Sequence, residues 1–98
     1  MNGVEFVVIE CLKQKKWENA LLHLNQLLND ENQHSMEDEK LLAYLLWRSQ
    51  CYFELSKHEA CIEDCQKIMK FLPNEAPRNN FWFKARWRLT HSLIQLKR

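Results

Sequence analysis

The sequence predicts an all-α protein, and three observations carry that reading. Apolar residues recur at steps of three and four through most of the chain, which is the period of an amphipathic helix. Glycine occurs once and proline twice in 98 residues, so strained turns and sheet corners have few sites. The same apolar pattern then returns after a shift of 41 residues, as a stacked helical repeat would have it.

Val4, Val7, Val8, Cys11 and Leu12 predict a first helix at about 2–13. "KQKK" interrupts it, and Trp17, Ala20, Leu21, Leu24, Leu27 and Leu28 predict a second at about 17–29, closed by the polar run "NDENQHS". Leu42, Leu45, Leu46, Ser49, Tyr52 and Phe53 mark a third at about 38–55, with Ser35 or Asp38 as its start signal. Ala60, Cys61, Cys65, Ile68, Met69 and Leu72 mark a fourth at about 58–72, stopped by Pro73. "PNEAPRNN" is a turn by composition, and a fifth helix is expected at about 80–97. Trp82, Ala85, Leu89, Leu93 and Leu96 form its expected core stripe, with Phe83, Trp87, Thr90 and Ile94 as a flanking row.

The 41-residue shift lays Cys11 on Tyr52, Leu12 on Phe53, Glu18 on Glu59, Ala20 on Cys61, Leu24 on Cys65 and Leu27 on Ile68. It also carries Ser49 to Thr90, Tyr52 to Leu93 and Leu55 to Leu96. One domain over 1–98 is expected, with a repeat at about 1–34, a second at about 42–75 and a capping helix at about 80–98.

Charge is uneven although the net is only +1. Residues 1–49 carry five basic and eight acidic side chains, and residues 50–98 carry nine and five. From Arg78 onward there are six cations and no acid, so that end favours an anionic partner. "VEFVVIECL" is far shorter than the ~20 apolar residues of a spanning helix and contains two glutamates. No membrane span and no secretory leader are read, so the cytoplasm or the nucleus is the expected compartment. The four cysteines are then expected as reduced thiols, and Cys61 and Cys65, one helical turn apart, read as small packing residues in preference to a metal site.

The run Leu45 to Pro73 resembles a tetratricopeptide repeat: Leu45, Ser49, Tyr52, Cys61, Cys65 and Pro73 stand at that family's spacing, and "ACIEDCQKIMKFLPNE" is its most characteristic stretch. The first unit's "CLKQKKWENALLHL" resembles the turn between that family's two helices. The period of 41 departs from the family's roughly 34 residues, and the extra length is expected around 30–37 and 73–79. Arg48, His58 and Cys65 depart from it in residue type, standing where the family has an apolar residue, an aromatic and a large ring.

The resemblance implies a short α-solenoid of antiparallel hairpins with an inner groove lined by the first, third and fifth helices. Carried onto this chain, the groove residues are Ile9 and Lys13, then Trp47, Gln50 and Phe53, then Lys84, Trp87, Arg88 and His91. Its aromatic residues and Arg are types that dominate interface energy. The implied function is a non-enzymatic adaptor or scaffold, of which a co-chaperone is one type, that holds a peptide segment of a partner protein with apolar anchors and acidic character. In family members that hold the acidic tails of heat-shock chaperones, a five-residue carboxylate clamp includes a Lys and an Arg four apart, which Lys84 and Arg88 match. The other three positions fall on Glu5, Ile9 and Trp47, so that clamp is incomplete.

No Gly-rich phosphate loop and no nucleophile with a base at motif spacing is present, and no cofactor is implied. Nucleic-acid binding through the basic and aromatic C-terminal helix is the alternative from another class, disfavoured by a pI near 7.7. A homodimer through Phe81, Phe83 or Ile94 is a third reading.

Overall fold

A computed structural model describes residues 3–29, 36–71 and 80–97, with side chains on the last helix from Phe83 onward. Five α-helices are formed: α1 (Gly3–Lys13), α2 (Trp17–Leu27), α3 (Asp38–Glu54), α4 (His58–Phe71) and α5 (Asn80–Leu96). They follow the apolar periodicity, and among the described residues no strand occurs. Each of the first four helices carries an acid in its first turn, Glu5, Glu18, Asp38 with Glu39, and Glu59, where the N-terminal partial positive charge favours it. The first turn of α5 has none.

The helices stop slightly earlier than periodicity alone predicts. α2 closes at Leu27, and Leu28 leaves helical geometry while its N–H still bonds to the Leu24 carbonyl at 2.9 Å. α3 and α5 end within a residue of expectation, and α4 is helical through Phe71, the last residue described there. Leu28 stays buried, so its apolar signal came from packing and not from helix. Ser35, Leu72 and Pro73 lie outside the described residues, as do most of the expected insertions at 30–37 and 73–79.

The hairpin turns repeat in detail. Lys16 N–H bonds to the Cys11 carbonyl at 2.8 Å and Lys15 N–H to Leu12 at 3.1 Å. Forty-one residues on, Lys57 N–H bonds to Tyr52 at 2.8 Å and Ser56 N–H to Phe53 at 3.1 Å. Lys15 and Ser56 both occupy the left-handed region, at φ 59° and 60°. This is the double-bonded C-terminal cap usually built on glycine, here adopted twice by non-glycine residues. The sequence repeat is therefore also a repeat of backbone geometry.

α1 packs on α2, and α3 lies between α2 and α4 while also touching α5, which packs chiefly on α4. Val8, Ala20, Leu24, Leu45, Cys61 and Ile68 form the buried centre. Small residues stand where helices approach closely, Ala20 on α2, Cys61 and Cys65 on α4 and Ala85 on α5, all fully buried. Among the described residues no helix is long and apolar enough to cross a membrane.

The core face of α5 differs from expectation. Ala85 is buried and Leu89 partly so, but Leu93 and Leu96 are exposed, and Ser92 takes the buried position. The reason is polar: Ser92 Oγ meets His58 Nδ1 of α4 at 3.3 Å and also bonds to Cys61. Trp82, the other expected core residue, has no described side chain.

Candidate functional site

The groove residues come from the three helices expected to line it, and the structure treats them unequally. On α1, Ile9 is half-buried, and exposed Lys13 pairs with Glu10 at 3.5 Å, one turn back. Glu5 accepts a hydrogen bond from Tyr44 of α3. Burial first, then the charge of Glu5 and that hydrogen bond, raise the Tyr44 pKa. Glu5 is thus an α1–α3 contact and not a free acid facing the ligand.

On α3, Trp47 is half-buried with its ring tilted against Tyr44, centroids 5.7 Å apart. Gln50 is half-buried. Phe53 sits between two rings: His58 stands edge-on at 5.5 Å, and Trp87 of α5 lies at 5.9 Å. His91 then meets Trp87 edge-on at 4.0 Å. Phe53, Trp87 and His91 therefore form one aromatic cluster across α3 and α5, with ring geometries of the favourable tilted and edge types. Trp87 remains 56% exposed, although it is the largest side chain in the cluster.

The two cations of α5 part company. Lys84 is exposed. Arg88 is half-buried, and its Nη1 donates to the Leu46 carbonyl at 3.1 Å and to Ser49 Oγ at 2.9 Å, both on α3. Arg88 is thus turned inward to tie α5 to α3, whereas Lys84, its match in the incomplete clamp, is turned out. Burial lowers the Arg88 pKa, with Cys65, Cys61 and Glu54 acting in the opposite direction through their charge. Among the described residues no carboxylate lies within ion-pairing distance of it.

Beneath this cluster runs a polar network that periodicity does not reveal. His58 meets Ser92, Ser92 bonds to Cys61, Cys61 to Cys65, and Cys65 to Ser49, which also contacts Arg88. Ser49 Oγ donates to its own helix at Leu46 O, 2.6 Å away. The hydrogen bond from Cys65 pulls the Cys61 pKa down to about 7 against burial, with help from Ser92 and Arg88. That shared hydrogen bond, then burial, raises the pKa of Cys65. Burial pushes Cys51 up to about 12. All four cysteines are free, and among the described residues no three His, Cys, Asp or Glu side chains are grouped to hold a metal ion.

A second network accounts for Arg48, the charged residue that stands where the resembled family has an apolar one. It makes two bonds to Asp64 of α4, Nε to Oδ2 at 2.8 Å and Nη2 to Oδ1 at 2.7 Å. Nη1 donates to Asn25 of α2 at 3.2 Å, and the guanidinium lies 5.8 Å from the Tyr52 ring centroid. One side chain so joins α2, α3 and α4. The available signal was an acid, Asp64, set in the apolar register of α4 between Cys61 and Ile68.

Clefts bounded by described residues lie at the turn ends, one walled by Ser56, His58, Glu59 and Leu96 and another by Lys15, Trp17 and Leu55. The nine groove residues line none of these. No protein-family model matches the chain, and no curated protein or solved structure matches it.

Proposed function

We propose that this chain is a tetratricopeptide-like interaction module that holds an apolar, acidic segment of a partner protein against α3 and α5. The observation that carries the reading is the Phe53–Trp87–His91 cluster, whose tryptophan stays 56% exposed beside two cations, exposed Lys84 and half-buried Arg88. An indole held by neighbouring rings loses little rotamer freedom when a ligand covers it, so its apolar surface is pre-organised for binding. Lys84 and Arg88 give the same surface a positive potential that favours carboxylates. The module acts as an adaptor without catalysis, in the cytoplasm or the nucleus, where its four thiols stay reduced.

Selection from a displayed library of ~12-residue peptides tests the reading, a length that spans three helix rows in extended form. The library includes members with a free acidic C-terminus of the kind chaperone tails present. Enriched sequences are expected to combine an apolar or aromatic anchor with Asp or Glu. Trp47→Ala with Trp87→Ala is expected to weaken the best of them about tenfold or more. Absence of enrichment, or enriched peptides indifferent both to that pair and to Lys84→Ala with Arg88→Ala, would overturn it.

A further inference from the structure

The 41-residue relation gives each position of α5 a counterpart on α3, and burial of the two helices can be compared face by face. On one face they agree. Tyr44 and Cys51 are buried, and so are their counterparts Ala85 and Ser92. α5 therefore packs inward on α4 as α3 packs inward on α2.

On the opposite face they disagree. Leu42, Leu46 and Ser49 of α3 are buried, with α4 and α5 packed on that helix. Their counterparts are Phe83, at 53% exposure, Trp87, at 56%, and exposed Thr90. Tyr52 and Phe53 are half-buried, whereas Leu93 and Ile94 are 44% and 48% exposed. A helix apolar on two opposed faces is the pattern of one covered on both. What covers this face of α3 is a pair of helices, so the shape on offer at α5 is a seat for a helix.

Charge narrows the occupant. α5 carries Lys84, Arg86 and Arg88, Lys97 follows it, and there is no Asp or Glu from Asn80 to Lys97. α3 differs, with Asp38, Glu39 and Glu54 set against Lys40 and Arg48. We infer that the outer face of α5 docks an acidic amphipathic α-helix of a partner protein, packed as α4 packs on α3. Its apolar stripe covers Leu93, Ile94 and the outer edge of Trp87, and its carboxylates meet Lys84 and Lys97. This surface shares Trp87 and Lys84 with the groove, but Leu93 and Ile94 take no part in the groove, so substitutions there test it apart from the groove reading.

The probe is a synthetic amphipathic helix of ~16 residues, long enough to be helical once docked, with Leu at heptad core positions and Glu on its flanks. Its twin carries Lys in place of every Glu. Fluorescence anisotropy of the labelled peptides with the full chain is expected to show about tenfold tighter binding of the Glu form at low salt, converging at high salt. Leu93→Glu with Ile94→Glu is expected to remove about tenfold or more of that affinity, and Trp47→Ala to leave it unchanged. Both substituted side chains are exposed, and circular dichroism with Ile94→Ala as a milder variant checks that the fold persists. Equal binding of the two peptides, or full binding by the double variant, would overturn the proposal. So would a chain that covers the face with a second copy, seen as self-association lost in the double variant. Vesicles of phosphatidylcholine and phosphatidylglycerol that bind the chain in preference to the Glu peptide would overturn it equally.

Discussion

Two half-buried guanidiniums, Arg48 and Arg88, lie on consecutive first helices of the repeat and are held in opposite ways. Arg48 meets a buried carboxylate through two short bonds at 2.7 and 2.8 Å. Burial opposes its charge, but the hydrogen bonds and charge of Asp64 prevail, and its pKa is raised. Arg88 meets a carbonyl and a hydroxyl, with three thiols and the more distant Glu54 as its ionisable neighbours, and its pKa is lowered by burial. The first is a neutralised staple that fastens three helices. The second fastens two helices without a carboxylate in ion-pairing contact among the described residues, next to Trp87 and one turn from Lys84. A fold-stabilising contact and a binding potential are thereby combined in one side chain of α5.

The same substitution at both positions separates these roles. Arg48→Leu leaves Asp64 as a buried acid without its partner and is expected to cost about 3–5 kcal/mol in chemical denaturation. Asp64→Asn breaks the pair from the other side and should fall in the same range, which a double-mutant cycle resolves. A loss below about 1 kcal/mol would place Arg48 among ordinary surface ion pairs.

The thiols around Arg88 provide the next effect. The folded pKa of Cys61 lies at about 7, below its ordinary value of 9.0. A depressed acid contributes stability that is fully present above the unfolded value and lost as pH falls through the folded one. Stability is therefore expected to fall between pH 9 and pH 7, whereas Cys65, raised by the same hydrogen bond and by burial, costs stability above pH 9. Cys51 acts with the same sign as Cys65, because a thiol pushed up to about 12 costs stability as pH rises beyond 9. A maximum near pH 9 in denaturation midpoints checks both signs. Cys61→Ser should flatten the lower limb, and thiolate absorbance at ~240 nm should titrate near neutrality in the wild type only.

Arg88→Leu is expected to be the mildest, at about 1 kcal/mol or less, because it leaves no buried acid behind. The Leu46 carbonyl and the Ser49 hydroxyl keep their own bond at 2.6 Å. A cost matching that of Arg48→Leu would erase the distinction between the two arginines.

The helices were legible because their apolar residues sit at steps of three and four, and the repeat because the chain returns to the same pattern after 41 residues. The two hairpin turns obey that shift down to their hydrogen bonds, although Lys15 and Ser56 give no glycine signal for left-handed backbone. Of the four aromatic rings that the family resemblance assigned to the groove, Phe53, Trp87 and His91 come together, and Trp47 lies against Tyr44 instead. The inward turn of Arg88 and the burial of Ser92 were not. A charged residue reads as solvent-facing until its partner is known. For Arg48 that partner is 16 residues away, and for Arg88 it is 39 and 42 residues away. Periodicity assigns a residue to a face, and long-range hydrogen bonding decides which face is the core.

In the proposed binding, charge and aromatic surface act together at α5. The most direct test is the ratio of affinities between a selected acidic peptide and its twin with every Asp and Glu changed to Asn and Gln, measured on the wild type and on Lys84→Ala with Arg88→Leu. A ratio of about ten in the wild type that falls close to one in the variant is expected. A ratio that is the same in both proteins would contradict the assignment of this surface to an acidic segment.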